Sequence, residues 1–334
     1  MRNSPNLSAR LQELAPLLQI ERLKVYFSIR KGIFSRIAGH VRAVDDISLD
    51  IFEGETLGLV GESGCGKSTI GRAIVRLEEP QEGRIVFRNA DITHRSLRQL
   101  KPLRTKLQMI FQDPYSSLNP RKRIYDILAE PLAAHRIAAK ADLQRRVNRL
   151  LDMVGLPSAY QNRYPHELSG GQRQRIGIAR AISLEPSLIV CDEPVSALDV
   201  SIQAQILNLL SDLQKELKLT YVFIAHGIGA VNYISTRIAV MYLGKIVEVG
   251  SRDELFRNPK HPYTKILLDA YPAPDPTKRS KQRIIVEGDV PNSANPPQGC
   301  RFHTRCPYVQ ERCRREEPQL GNSGHAAACH FPLG

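Results

Sequence analysis

A glycine-rich loop at residues 61–69, Gly-Glu-Ser-Gly-Cys-Gly-Lys-Ser-Thr, sets the tightest limit on the fold of this chain. A short apolar stretch, Thr56–Val60, precedes the loop, and apolar residues at helical spacing follow it from Lys67 to about Leu77. A buried strand leading through such a loop into a helix is the setting in which this pattern binds phosphate. Glycines let backbone N–H groups turn inward, and the helix start adds a positive dipole end.

The loop predicts a nucleotide site that uses Mg²⁺. Lys67 is expected to reach the β- and γ-phosphates of ATP, and the Ser68 hydroxyl to ligate the metal ion. Cys65 occupies a variable position, and no chemistry is predicted for its thiol. The predicted contacts from this loop are Gly61, Ser63, Gly64, Cys65, Gly66, Lys67, Ser68 and Thr69.

A second apolar stretch, Leu188–Cys191, ends in two carboxylates, Asp192 and Glu193. Taken alone, an acidic pair at a strand end is as often a cap as a functional site. Behind a phosphate loop in the same α/β unit, Asp192 is predicted to hold the Mg²⁺ shell. Glu193 is predicted to act as the general base that activates water for attack on the γ-phosphate.

The remaining pattern predicts several parts around this core. Residues 1–18 are predicted to be a tail, and Gln19 to Asp50 to form antiparallel strands interrupted by a loop at 31–42. Residues 123–160 have helical spacing, and further buried strands are predicted at Leu188–Cys191, Tyr221–Ala225 and Ile238–Tyr242. Buried strands alternating with helices predict an α/β fold with a covered, largely parallel sheet. Beyond Gly250 an appended domain of proline, lysine and turn residues is expected.

Charge and hydropathy narrow the cellular setting. The chain has 47 Lys and Arg against 34 Asp and Glu, and residues 93–150 alone hold 13 basic and 4 acidic residues. Such a stretch fits a solvated basic face, nucleic acid, anionic lipid headgroups or nucleotide phosphates. No apolar run approaches the ~20 residues of a membrane-spanning helix, and the N-terminus makes a poor signal peptide, so a cytoplasmic location is expected.

Further motifs, in order along the chain, carry a family resemblance. They are Phe111-Gln112-Asp113-Pro114, Leu168-Ser169-Gly170-Gly171-Gln172, Ser196-Ala197-Leu198-Asp199 and His226. Together with the loop and the acidic pair, they resemble the ATP-binding subunit of an ABC transporter over about residues 20–250. The resemblance implies a P-loop NTPase fold with a RecA-like parallel sheet core. It also implies an antiparallel β subdomain, a nucleotide-binding domain at 19–255 and a helical subdomain at about 113–175.

The resemblance also assigns roles that one subunit cannot perform alone. Ser169, Gly170, Gly171 and Gln172 would bind the γ-phosphate of ATP held by the phosphate loop of a second ATPase subunit, with Asp199 lining the seam. Gln112 would contact Mg²⁺ and the attacking water. His226 would contact the γ-phosphate and orient Glu193, although the family's usual acidic residue after it is replaced here by Gly227.

An aromatic residue upstream of the loop is expected to stack on adenine. Phe27 is favoured and Tyr26 is the alternative, because the register of the strand is not fixed by the sequence. Either side chain could instead belong to the core.

Residues 258–265, Asn-Pro-Lys-His-Pro-Tyr-Thr-Lys, and 299–307, Gly-Cys-Arg-Phe-His-Thr-Arg-Cys-Pro, resemble the oligopeptide/dipeptide/nickel importer branch. The resemblance implies import of peptides or a related solute such as a nickel chelate. It also implies two transmembrane permease subunits, an external solute-binding protein, and a peripheral location on the cytoplasmic face of the plasma membrane. The second ATPase is either another gene product or a second copy of this chain.

Four of the six cysteines lie in the predicted C-terminal domain, 256–334, at the spacing C-x5-C-x6-C-x15-C (Cys300, Cys306, Cys313 and Cys329). Thiolates at this spacing could hold an iron–sulfur cluster or zinc, or stay unligated; the tight cysteine pairs usual for zinc are absent. The resemblance favours a [4Fe–4S] cluster with a structural role. His303, His325 and His330 are further candidate ligands, each more typical of a surface residue.

Two other classes of ATPase share this core, and both fit the sequence less well than the transporter. A DNA-handling ATPase of the same core would draw on the basic charge, but such proteins carry large insertions between the phosphate loop and the Ser-Gly-Gly-Gln element. Here that gap is about 100 residues long. A translation factor of the superfamily would need two phosphate loops in one chain. The basic stretch is therefore expected to face the membrane surface, and no nucleic acid is expected as a partner.

Overall fold

The computed structural model describes residues 15–32, 36–270, 288–321 and 324–334. Its strands are β1 (Leu18–Lys31), β2 (Arg36–Ile51), β3 (Thr56–Val60), β4 (Glu82–Phe87), β5 (Ala90–Asp91), β6 (Leu107–Ile110), β7 (Leu188–Asp192), β8 (Thr220–Ala225), β9 (Arg237–Tyr242), β10 (Lys245–Ser251) and β11 (Ala326–Ala327). Its helices are α1 (Lys67–Ile74), α2 (Leu97–Leu100), α3 (Pro114–Ser117), α4 (Ile124–Ala134), α5 (Leu143–Met153), α6 (Gly170–Ile182), α7 (Val200–Leu217), α8 (Ile228–Ile234), α9 (Arg252–Arg257), α10 (Pro262–Ala270) and α11 (Glu311–Arg315).

The chain forms two compact units. The first contains the described residues up to Phe52, then Leu57–His94, and the described residues from Ala225 to the C-terminus. The second contains Glu53–Thr56 and Arg95–Ile224. The phosphate loop therefore belongs to the first unit, and the acidic strand end and the Ser-Gly-Gly turn belong to the second.

The first unit combines an antiparallel sheet with strands of mixed direction. The antiparallel sheet has the order β2-β1-β4-β5. Elsewhere in this unit, β3 pairs in parallel with β9. Strand β10 pairs in antiparallel direction with β9 on one side and with β11 on the other. Every residue of β3 is buried, as its unbroken apolar sequence predicts for a strand covered on both faces.

The second unit combines parallel strands with a group of helices. Strand β7 pairs in parallel with β6 on one side and with β8 on the other. Helices α4, α5 and α6 pack on one another. The predicted fold class, parallel α/β strands with an antiparallel β part and a helical part, is confirmed.

The predicted loop at 31–42 was wrong, because β1 continues to Lys31 and β2 begins at Arg36. Backbone pairs such as Tyr26↔Arg42 and Ile29↔Gly39 extend the hairpin into the stretch whose glycines and basic residues predicted a loop. An antiparallel ladder is made by backbone groups, so it does not need an alternating apolar face. The residues between, 33–35, lie outside the described structure.

Two predicted boundaries also shift. Strand β1 begins at Leu18, and Leu17 and Leu18 are buried, so the last residues of the predicted tail belong to the sheet; residues 1–14 lie outside the described structure. Helix α1 ends at Ile74 rather than near Leu77. Arg76 has a positive φ of 57°, and its buried guanidinium donates to the carbonyl oxygen of Ile92, which fixes a turn there instead of another helical turn.

The C-terminal residues, predicted as a separate domain at 256–334, group with the first unit. Phe302 is 1% exposed, and its ring packs edge-on against that of Tyr242 in β9, with centroids 5.2 Å apart. The buried guanidinium of Arg301 forms an ion pair with Asp45 in β2. These contacts give the segment a core that it shares with the earlier part of the chain.

Within the described ranges, no helix is both long enough and apolar enough to cross a bilayer.

Candidate functional site

The phosphate loop has the geometry that its glycines predict. Gly66, immediately before α1, has φ +105°, and a Cβ atom there would lie 1.9 Å from the carbonyl oxygen of Ala43. A Cβ atom on Gly61 would lie 2.1 Å from the carbonyl oxygen of Met241. Both positions therefore require glycine, and the turn places the N-terminus of α1 at the open end of the loop.

Lys67 folds back over the loop that precedes it. It is 4% exposed, and its Nζ donates to the carbonyl oxygens of Gly61 (2.8 Å) and Glu62 (2.9 Å). The Cys65 sulfur lies 3.7 Å from the same Nζ, and burial raises the pKa of that thiol. Lys67 is thus buried against the loop, and two backbone carbonyl oxygens accept hydrogen bonds from its ammonium group in place of water.

Glu62 is fixed by residues far along the sequence. Its backbone N–H donates to the Tyr263 hydroxyl (2.8 Å), and its carboxylate accepts two hydrogen bonds from the Arg305 guanidinium (2.9 and 3.1 Å). Sequence reasoning missed both partners, which lie 201 and 243 residues away. Arg305 stands inside the quoted 299–307 motif, but nothing in its local pattern indicates what it contacts.

The two candidate aromatics on β1 differ in environment. The Tyr26 hydroxyl donates to the Asp45 carboxylate, and burial together with this bond raises the pKa of the phenol. Burial opposes ionisation of Asp45, but the bonds from Tyr26 and Arg301 hold the pKa of its carboxyl below the usual value. Phe27, the residue after Tyr26, is 41% exposed. Of the two aromatic residues, Phe27 is therefore the one whose ring is more accessible to a ligand.

In the second unit, β7 delivers the acidic pair to the end of a fully buried strand. Asp192 and Glu193 are 2% and 3% exposed. The Gln112 amide nitrogen donates to the Glu193 carboxylate at 2.7 Å. The structure thus brings together Gln112 and Glu193, the two residues predicted to act on the attacking water.

Glu193 has a backbone conformation that is rare for a residue with a side chain. Its φ is +46°, in the left-handed region. The strain is opposed by hydrogen bonds from its N–H to the Ile224 carbonyl (3.0 Å) and to its carbonyl from the Ser196 N–H (3.2 Å). Strained residues that are held in this way are concentrated at functional sites, where the fixed direction of the side chain matters.

The Ser-Gly-Gly-Gln turn begins α6 in the second unit. The Ser169 hydroxyl accepts from the Gln172 N–H (3.4 Å), and the Gln172 side chain accepts from the Ser169 N–H (3.0 Å), which is a reciprocal capping box. Ser169 and Gly170 are exposed. A 13-residue helix therefore presents its positive end to solvent at the turn predicted to bind a γ-phosphate.

The residues around Asp199 lie against this turn. A Cβ atom on Gly171 would lie 2.6 Å from Ile202 in α7, so the second glycine allows the two helices to approach closely. Asp199 precedes α7 and is exposed, and Val200 beside it is 81% exposed. The structure thus brings the Ser169 turn and the Asp199 segment onto one exposed surface of the second unit.

His226 follows β8 and is exposed in the first unit. Gly227 caps α8 with φ −86°, and a Cβ atom on it would meet nothing within 4 Å. The backbone at this position therefore does not require glycine, and a Cβ atom fits without a clash.

The four C-terminal cysteines line one small cavity together with His303 and His330. All four are free thiols. Burial raises the pKa of Cys300 to about 12, and it also raises the pKa of Cys306 and Cys329. In the part of the chain that the structure describes, no three His, Cys, Asp or Glu side chains are grouped for a single metal ion. His325 lies elsewhere, bonded to the buried Glu248 at 2.7 Å.

Comparison with known proteins gives consistent matches. A family model described as ABC transporter matches residues 44–196, and one described as oligopeptide/dipeptide transporter, C-terminal region, matches residues 247–313. The oligopeptide transport ATP-binding protein AppF of Bacillus subtilis is 50% identical over 321 residues, covering 94% of this chain and 97% of that protein. The oligopeptide transport ATP-binding protein OppF of Salmonella typhimurium is 49% identical over 328 residues, covering 97% and 98%.

Among solved structures, a dimeric post-hydrolysis state of the ATP-binding cassette MJ0796 bound to ADP and Pi is similar in fold. It is 27% identical, with a TM-score of 0.63, and the match covers 70% of this chain and 98% of that one. The similarity to AppF and OppF extends over nearly the full length of both proteins. The chain therefore belongs to the ABC transporter family of ATP-binding proteins, in the branch that carries the oligopeptide/dipeptide transporter C-terminal region.

Proposed function

We propose that this chain is the ATP-hydrolysing subunit of an importer for peptides or a related small solute. The observation that carries the proposal is the 2.7 Å hydrogen bond that fixes the Glu193 carboxylate on Gln112, at the end of a buried strand. A carboxylate oriented in this way is suited to accept a proton from water. The relatives AppF and OppF, which are named as oligopeptide transport ATP-binding proteins, supply the solute class.

Each site residue has a role that follows from its chemistry. Lys67 leaves the carbonyls of Gly61 and Glu62 and contacts the β- and γ-phosphates. Glu193 accepts the proton of the attacking water, Gln112 orients it, and His226 contacts the γ-phosphate. Phe27 stacks on adenine.

The oxygen donors suited to Mg²⁺ are the Ser68 hydroxyl, the Asp192 carboxylate and the Gln112 amide, because hard cations prefer such ligands. When bound, Mg²⁺ neutralises phosphate charge. The burial of Asp192 at 2% exposure fits a carboxylate that acts next to a cation.

The partner ATPase is a second copy of this chain or a related chain, bound head to tail. The exposed Ser169 turn supports this proposal, because the positive end of α6 lies at the surface there and suits a γ-phosphate that this chain does not itself hold. The exposed Asp199 and Val200 beside it would line the seam. The dimeric state of the MJ0796 cassette is consistent with such an arrangement.

The membrane partners are two permease subunits, supplied with solute by an external binding protein. Family membership supports this assignment, and it implies a peripheral position on the cytoplasmic face of the membrane. A groove in the second unit with an apolar floor, including Leu150 and Met153, has Arg145, Arg146 and Arg149 at its margin. This basic margin suits a surface that works near anionic lipid headgroups.

The cysteine segment is proposed to hold a [4Fe–4S] cluster on Cys300, Cys306, Cys313 and Cys329. The four cysteines line one cavity together. The raised pKa of Cys300, about 12, means that the thiolate form needs a cation to stabilise it. When bound, the cluster would cross-link a segment that has little regular secondary structure of its own.

No observation favours the DNA-handling alternative, since the relatives named above are peptide-transport and cassette proteins.

Glu193→Gln tests the proposal, because the amide keeps the size of the side chain but cannot accept a proton. We expect Mg²⁺-dependent ATP hydrolysis by the purified chain with its partner subunits to fall by roughly 10²–10⁴-fold. Equilibrium binding of a fluorescent ATP analogue should be retained. Lys67→Ala is the matched variant, and it should lose binding. Full hydrolysis by Glu193→Gln would remove Glu193 as the base.

A further inference from the structure

The second residue of the phosphate loop, Glu62, is held at three points. Its carbonyl accepts from Lys67 Nζ (2.9 Å), its N–H donates to the Tyr263 hydroxyl (2.8 Å) and its carboxylate binds Arg305. Two of these three contacts come from the C-terminal part of the chain. The position of the carbonyl on which Lys67 rests therefore depends on residues outside the loop.

The Arg305–Glu62 pair is shielded from solvent. The side chains are 12% and 27% exposed, and one guanidinium nitrogen lies 3.1 and 2.9 Å from the two carboxylate oxygens. The same nitrogen reaches the Tyr242 hydroxyl at 3.4 Å. Removing one member of a shielded pair leaves the other charge unpaired and costs far more than breaking a surface pair.

The carboxylate of Glu62 also bears on ligand binding directly. A triphosphate brings several negative charges to a loop that already carries this carboxylate, and like charges at close range repel. Arg305 neutralises the carboxylate and keeps it turned toward the C-terminal segment. A free Glu62 would oppose ATP by its charge and would let the loop move.

We propose that Arg305 is a positioning residue for ATP binding, acting through Glu62 to hold the phosphate loop in its binding-ready shape. It does not contact the reacting atoms. The inference rests on the proposed function, since it assumes that ATP binds at this loop.

The same C-terminal segment is attached at a second place near the loop. Arg301, four residues before Arg305, donates to the Leu243 carbonyl and to Asp45, which in turn accepts from Tyr26. Cys300 and Cys306 bracket this stretch. The cysteine segment thus contributes to the nucleotide site through two arginines.

The test measures the affinity of the full-length chain for a fluorescent ATP analogue, below the unfolding temperature. Arg305→Gln should raise the Kd about tenfold, while kcat at saturating ATP with the partner subunits changes less than twofold. Arg305→Lys, which keeps the charge, should recover most of the affinity. Arg312→Gln is the control, because Arg312 pairs with Glu316 on the surface of the same C-terminal region.

A double-mutant comparison separates positioning from charge alone. In a Glu62→Gln background, Arg305→Gln should change the Kd less than twofold, because the partner through which Arg305 acts has gone. A tenfold loss that persists in this background would overturn the proposal, since Arg305 would then attract ATP directly. So would an unchanged Kd for Arg305→Gln alone.

Failure of the proposed function gives a different result. If the wild-type chain does not bind the ATP analogue, or if Lys67→Ala binds it equally well, the nucleotide site itself is misassigned. If the wild type binds and Lys67→Ala does not, an unchanged Kd in Arg305→Gln refutes the positioning role alone. Circular dichroism of Arg305→Gln and Arg305→Lys checks that both variants are folded.

Discussion

Replacing Phe302 by alanine tests whether the C-terminal residues share the core of the first unit. Phe302 is 1% exposed, and its ring lies 5.2 Å from that of Tyr242 and 5.3 Å from that of Tyr263. Truncating a buried phenylalanine costs roughly 3–5 kcal/mol, because apolar contact is lost and the cavity relaxes only in part. Two aromatic neighbours lose their edge and tilted contacts, which places the cost toward the upper end of that range.

Hydrogen exchange followed by mass spectrometry measures this effect where it matters. Peptides covering β3 and β9 report on the first unit. In Phe302→Ala, the free energy of exchange of their slowest amides should fall by roughly the same 3–5 kcal/mol. Phe331→Ala is the control, since Phe331 is 37% exposed, and it should stay within about 0.5 kcal/mol. Unchanged protection of β3 and β9 in Phe302→Ala would mean that the C-terminal residues fold as a separate domain.

Two further predictions concern stability. Gly227→Asp should raise the free energy of unfolding by roughly 0.5–1 kcal/mol in urea titrations, because φ is negative, the space around the Cβ position is open and aspartate is a good N-cap. ATP turnover should also rise rather than fall. A loss of stability would contradict the cap geometry. Burial lowers the pKa of His261 to about 4, so the contribution of its neutral form to the free energy of unfolding should be complete above pH 6.5. Toward pH 4, the free energy of unfolding should fall by roughly 1.4 kcal/mol per pH unit. His261→Gln should flatten that slope in urea titrations at several pH values.

The neutral state of His261 has a visible structural basis. The Tyr263 N–H donates to the His261 Nδ1 (3.1 Å), so this nitrogen must keep its lone pair. Protonation would turn an acceptor into a donor facing another donor. The carboxylate of Glu248 lies nearby and favours protonation, but burial outweighs it.

The local geometry of two segments of the candidate site could be predicted from the sequence. The phosphate loop combines a buried strand, glycines at fixed positions and a helix start within 19 residues, from Thr56 to Ile74. Each piece depends on backbone rules that neighbouring residues satisfy among themselves. The Ser169 capping box is equally local, since its two hydrogen bonds join residues three apart.

The order of motifs along the chain also predicted that some distant residues lie close together. Gln112 and Glu193 are 81 residues apart, yet both follow buried strands, and parallel strands β6 and β7 lie side by side. The carboxyl ends of neighbouring parallel strands meet at one edge of a sheet. Their hydrogen bond is therefore consistent with the motif order, although the distance itself is a structural result.

Tertiary structure alone decided the rest. The extension of β1 to Lys31 and of β2 from Arg36 depends on backbone pairing across a stretch whose glycines and basic side chains predicted a loop. The different environments of Tyr26 and Phe27 also come from the fold, because the Tyr26 hydroxyl donates to Asp45 while Phe27 is 41% exposed. The attachment of Arg305 to Glu62 spans 243 residues, and a charge pair of that separation leaves no periodic or local trace in a sequence. The phosphate loop could thus be predicted from the sequence because its geometry follows from local backbone rules. The distant residues that hold it in place could be identified only from the tertiary structure.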